Sequence, residues 1–174
     1  MMLKPAQVWP YVLIPVTVIA DQITKHMVLA EPRFNAQACL EDFRVCGTIE
    51  LPGPINLSML WNRGMSYGML QSEGFMRWVL AGVMAAIALG FLYWLIRTQG
   101  GWLLRLALAL VVGGAFGNLI DRVRFGAVVD FINAGDLYFP WVFNVADAAI
   151  SVGAVLLFFD QFVLSGRKPA ETGS

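Results

Sequence analysis

Long apolar stretches separated by short polar ones dominate the chain. A helix that crosses a membrane needs about 20 mostly apolar residues, and windows at roughly 8–28, 76–96, 102–120 and 141–164 meet that need. Trp78 to Ile96 carries no charge, and Trp78, Tyr93 and Trp94 lie near its ends as interfacial anchors do, with Arg97 closing it. In the third window Arg105 is one turn from the start, within snorkelling reach of headgroups. Gly113, Gly114 and Gly117 follow, and their spacing predicts a face on which a neighbouring helix packs closely.

Residues 30–74, between the first two windows, read differently. Pro32, Pro52, Gly53 and Pro54 interrupt any continuous helix, while Thr48–Leu51 and Ile55–Trp61 have the composition of strands. The expected architecture is an all-α membrane protein, one domain over residues 1–174, with four transmembrane helices and a small β-rich lobe between spans one and two. Composition makes the membrane unavoidable: 58% of residues are hydrophobic, 14% charged and mean hydropathy is +0.66, whereas soluble domains carry about 25% charged residues. A net charge of zero and the lack of a basic tract give no ground for a nucleic-acid partner. Asp21, Lys25 and His26 stand where a signal peptide would have its small-residue cleavage site, so the first window is expected to remain as a span. Lys4, Arg97, Arg105, Arg167 and Lys168 fall on one side, and Arg33, Arg44, Arg63, Arg122 and Arg124 on the other. With the long loop discounted, the balance favours cytoplasmic termini. Cys39 and Cys46 both lie in the lobe, and their spacing allows either a disulfide or two free thiols.

Polar residues near the span ends converge. Spans one and three run in the same sense, which brings Asp21 and Lys25 to the same membrane face as Asn118, Asp121 and Arg122. Span four starts on that face with Asn144 and Asp147, and Asp130 and Asn62 join from the connections. At 100° per residue Asn144, Asp147 and Ser151 share a helix face. Asp160 is turned about 220° and displaced about 20 Å from Asp147, which excludes it from the cluster. Asp21 and Lys25 form an acid-before-base i,i+4 pair suited to anchoring span one, and Asp121 with Arg122 has the look of a helix stop. His26 is the only histidine and has no partners at ligand spacing, so no metal is expected.

Asp130 within VVDF and Asp147 within FNVADA are harder to explain as solvated charges, because an acid in a span costs about 2.5–3.5 kcal/mol on insertion scales. Two carboxyls sharing a low-dielectric pocket titrate in two separated steps, one as base and one as donor. Such a pair activates water against a peptide carbonyl, as in aspartic proteases. A serine mechanism would need Ser58, Ser66 or Ser151 beside His26 or Lys25, and none has a recognisable setting. A proton-coupled carrier or assembly factor is the non-enzymatic alternative.

Five ordered blocks, DQITK at 21–25, NRG at 62–64, GGAFGNLIDR at 113–122, VVDF at 128–131 and FNVADA at 143–148, resemble the lipoprotein signal peptidases (signal peptidase II), over about residues 9–162. The resemblance implies a bacterial inner-membrane aspartic peptidase without cofactors, with Asp130 and Asp147 as catalytic dyad and the site and lobe at the periplasmic face. It implies substrate contacts by Asn62, Gly64, Asn118, Arg122 and Asn144, and support by Asp21, Lys25 and Asp121. The implied substrates are diacylglyceryl-modified prolipoproteins, cut before the lipidated cysteine by a monomer among membrane lipids, and globomycin-type antibiotics would occupy the same groove. Met65, Ser66 and Tyr67 depart from the small residues and Phe usual after the NRG block, and the first extramembrane segment is longer than expected.

Overall fold

The computed structural model describes residues 5–36, 39, 45–64 and 75–164; Lys4, Arg44, Met65, Ser66, Tyr67, Arg167 and Lys168 lie outside the described residues. Four long helices account for the apolar windows: α1 (Pro5–Leu29), α2 (Phe75–Arg97), α3 (Trp102–Phe125) and α4 (Val145–Phe158), the last continued by a wider turn over Phe159–Leu164. All four are long and apolar enough to cross a membrane. Their outward faces are apolar, as lipid demands, and Leu95, Leu104, Leu108 and Ala109 pack an apolar core between α2 and α3, while polar groups gather on the inward face of α1. On α1, Val12, Val16, Ile19, Ile23 and Met27 form an exposed stripe at helical spacing, while Thr17, Asp21 and Lys25 point inward and are buried.

α3 is the axis of the bundle: 61% of its span is buried, against 22, 17 and 11% for α1, α2 and α4. Three glycines let its neighbours come that near. A Cβ on Gly113 would stand 2.8 Å from Thr17 Cβ of α1, one on Gly114 would collide with the Ala146 carbonyl oxygen at the start of α4, and one on Gly117 would stand 2.7 Å from the Asp21 carboxylate of α1 and 3.2 Å from Ala146 Cβ. The sequence reading of a packing face is thus right for all three, and Gly117 also clears room for a charged side chain.

A four-stranded antiparallel sheet lies at one end, in the order β1 (Gly47–Ile49), β2 (Asn56–Asn62), β3 (Val128–Asn133), β4 (Val142–Phe143). β1 and β2 come from the segment between α1 and α2, as the sequence suggests. β3 and β4 instead come from the connection between α3 and α4, so the lobe is shared by two loops. α3 runs five residues beyond its expected end at 120 and closes on Gly126, whose positive φ of 76° lets its N–H reach the Arg122 carbonyl at 3.0 Å. Asp121 and Arg122 therefore lie inside the helix and do not stop it. The fourth span begins at Val145, not 141, because Val142 and Phe143 pair with Asn133 and Ile132.

Alternation along the strands decides what faces where. Met59, Trp61, Val129 and Phe131 enter the lobe core with Val28, Phe34, Ala36 and Ala127. Trp61 stacks edge-on against Phe125 at 5.2 Å and donates to the Ala36 carbonyl at 2.8 Å, tying lobe to bundle. Leu60 and Asp130, paired across β2 and β3, have the opposite parity, as does Asn62. Cys39 and Cys46 are joined in a disulfide with Cα atoms 5.6 Å apart, which decides between the two readings of their spacing. At the other end Arg105 folds back onto the carbonyls of Thr98 (2.9 Å) and Gly100 (3.2 Å), closing the α2–α3 turn.

Candidate active site

One face of α1 begins the site. The Lys25 ammonium is 2% exposed and its three donors meet three acceptors: Asp21 Oδ2 and Asp121 Oδ2, each at 2.8 Å, and Asn118 Oδ1 at 2.9 Å. Each acid in this triad also positions backbone. Asp21 Oδ1 accepts from the Ala146 N–H in the first turn of α4 at 2.9 Å, and Asp121 Oδ2 accepts from the Val129 N–H in β3 at 3.1 Å. Asp21, Lys25 and Asp121 thus bind together α1, α3, β3 and α4, the elements that carry the other polar groups. Gln22 was passed over in the sequence, yet its amide donates to Asp121 Oδ1 (2.9 Å) and to the Gly117 carbonyl (3.1 Å). The available signal was an uncharged amide beside an acid within a span.

Asp130 and Asp147 meet around Asn144. The Asn144 side chain donates to Asp130 Oδ1 at 2.7 Å, and its Oδ1 accepts from the Asp147 N–H at 2.9 Å. Asp147 Oδ2 accepts in return from the Asn144 N–H at 3.3 Å, which completes a capping box at the start of α4. Asn144 and Asp147 are therefore joined as N-cap and third helical residue, and Ser151, one turn beyond Asp147 on the same helix, is exposed. Asp130 Oδ2 accepts from Asn62 Nδ2 at 2.9 Å and Asp147 Oδ1 from Asn118 Nδ2 at 2.7 Å. All three asparagines implied as substrate contacts are thus turned toward the acids in the free protein.

Asp130 is 1% exposed. Burial, and then the negative charge of Asp147, push its carboxyl up to about 7, against the opposing pull of the Asn62 and Asn144 hydrogen bonds and the Lys25 charge. Arg122 is buried beside the pair, and the charges of Asp130, Asp121 and Asp147 act on it. Its Nε faces the Met84 sulfur at 3.2 Å, and its Nη1 has no partner among the described residues. Gly64, with φ +110°, packs against this guanidinium: a Cβ there would be 3.6 Å from Nη2.

The serine alternatives lose Lys25 as a base, and Ser66 lies outside the described residues. Lys25 is fully engaged in the triad, Ser58 bonds Thr48 and Asn133, and His26 is exposed at the end of α1. Asp160 lies in the last turn, bonded by Gln161 at 3.0 Å and remote from the cluster.

The family model for signal peptidase (SPase) II matches residues 13–163. The chain belongs to the signal peptidase II family. The match runs along nearly the whole sequence, and membership makes it an aspartic peptidase. Lipoprotein signal peptidase of Caulobacter vibrioides is 42% identical over 159 residues, covering 91% of this chain and 89% of that protein. Lipoprotein signal peptidase of Burkholderia vietnamiensis is 37% identical over 149 residues, covering 84% and 82%. A solved bacterial membrane enzyme, 24% identical, shares the fold with a TM-score of 0.73 over 94% of both chains.

Proposed function

We propose that Asp130 and Asp147 are the catalytic dyad with which this chain, an intramembrane aspartic peptidase that processes prolipoprotein signal peptides, cuts diacylglyceryl-modified precursors before the lipidated cysteine. The observation that carries the dyad is the double hold of Asn144, whose side chain bonds Asp130 while its backbone is capped by Asp147. Two acids joined through one residue, the charge of Asp147 raising the cost of ionising Asp130, share a single proton.

Asp130, whose carboxyl holds its proton up to about pH 7, is the donor, and Asp147 is the base. Asp147 takes a proton from water as the oxygen attacks the scissile carbonyl, and Asp130 protonates the developing oxyanion. Collapse of the resulting gem-diol breaks the C–N bond: the departing cysteine nitrogen takes a proton from Asp147, and one gem-diol hydroxyl returns its proton to Asp130 as the carboxyl product forms. The unpartnered Nη1 of Arg122, beside Gly64, suits a substrate carbonyl. Asn62, Asn118 and Asn144 exchange part of their bonds to the acids for bonds to substrate backbone, and a globomycin-type peptide fits the same groove. The working unit is a monomer of one peptidase domain in the bacterial inner membrane, surrounded by lipid, with cytoplasmic termini and a periplasmic site.

The test is a gel-shift assay of a diacylated precursor with purified enzyme. Wild type should release the signal peptide and globomycin should block it, while Asp130→Asn and Asp147→Asn should each lose at least about 1,000-fold in turnover and still unfold cooperatively. Cleavage retained by either variant counts against the dyad. Transport or binding without cleavage would favour a carrier.

A further inference from the structure

Each asparagine at the site has its side-chain oxygen occupied by an N–H donor. Asn62 Oδ1 accepts from the Gly64 N–H at 3.0 Å, Asn144 Oδ1 from the Asp147 N–H at 2.9 Å, and Asn118 Oδ1 from Lys25 Nζ at 2.9 Å. An amide held by its oxygen can present only its NH2 elsewhere, and all three NH2 groups face the acids. For Asn62 and Asn144 the holding donor is local backbone. For Asn118 it is a charged side chain on another helix.

We infer that Lys25 is a positioning residue of the reaction, which acts through Asn118 to keep a hydrogen-bond donor on Asp147 Oδ1. This rests on the dyad proposed above and goes beyond anchorage of α1. An ammonium that only neutralised Asp21 and Asp121 would need two of its donors, whereas the third is aimed at Asn118. Asn144 Nδ2 also reaches Asn118 Oδ1, at 3.2 Å, but that contact is longer and lacks the charge of Lys25. Without Lys25 the Asn118 amide can turn and set its oxygen against Asp147, and an acceptor beside a carboxyl favours its protonated form. The base is then lost to protonation sooner as pH falls.

The charged groups gathered around Asp147 are Asp130 on β3, Asp121 and Arg122 on α3, and Asp21 and Lys25 on α1, while α2 contributes the Met84 thioether beside Arg122. Removal of Lys25 therefore has a through-space effect as well, and a double-mutant cycle separates the two.

The experiment measures kcat and KM against pH for Lys25→Met, Asn118→Ala and the double variant, with thermal unfolding to verify folding. Lys25→Met should lower kcat by up to about tenfold on the acidic limb, leave KM within about twofold, and raise the pH of half-activity on that side by about one unit. Asn118→Ala should raise that half-point as well, and the double variant, which adds only the through-space share of Lys25, should fall well short of the sum of the two shifts. A folded Lys25→Met enzyme with the wild-type half-point overturns the inference, as does a double variant in which the two shifts add. If Lys25→Met fails to fold, Asp21→Asn/Lys25→Met replaces it in the cycle, since it removes one of the two buried acids left without their cation, Asn can still accept from Ala146, and Asp121 keeps the Gln22 and Val129 donors. Failure of the dyad reads differently: cleavage then survives Asp147→Asn.

Discussion

Asp130 sits on a buried strand with hydrogen bonds to both oxygens, and its carboxyl is still pushed up to about 7. An acid whose pKa is higher folded than unfolded binds an extra proton in the native state between the two values. Its stabilising share is complete below the unfolded value and is lost as pH rises to about 7. Asp130→Asn does not titrate, so its stability relative to wild type should improve by a few kcal/mol from about pH 4 to pH 7 and stay level outside that window. Thermal unfolding of both proteins across that range checks it, and a flat difference would mean that Asp130 is ionised throughout. Wild-type cleavage should decline on the basic side as pH passes about 7, where the proposed donor loses its proton. The meeting of the acids was readable from span directions alone. What holds them was not, because capping by Asn144 and the amide orientations of Asn62 and Asn118 depend on atom positions that no residue periodicity encodes.

At the scale of elements, α3 orders everything else, and its tolerance for side chains differs sharply from that of α2. Gly114→Ala would drive a methyl group into the backbone of α4, which has no rotamer to yield. A loss of about 1–3 kcal/mol is expected, with falling activity as Ala146 and Asp147 are displaced. Gly82→Ala and Gly90→Ala on α2 would meet nothing within 4 Å, and should be neutral or slightly stabilising. Melting temperatures of the three variants in one detergent test the contrast, and equal shifts would mean that α3 and α4 are not in backbone contact. The spans were legible because lipid imposes length and composition together. β3 and β4 were not: Val128–Asn133 is a short apolar run, and β4 has two residues, too few to show alternation. Pairing with β2, remote in sequence, makes them strands.

Across the whole molecule, the sheet joins two loops that flank different helices, and the Cys39–Cys46 disulfide closes part of the lobe. By the chain-entropy relation a loop of that length adds about 2.5 kcal/mol. Cys39→Ser/Cys46→Ser should therefore lower lobe stability by up to that amount and make the region around Trp61 open more readily. Hydrogen exchange at the β1–β2 ladder, with and without reductant, measures this, and unchanged protection would show that the apolar core alone holds the lobe. One acid rides on the sheet and the other on the bundle. A chain whose helices had assembled with its strands still unpaired would hold Asp147 without Asp130, so the dyad proposed here is complete only once the sheet has closed.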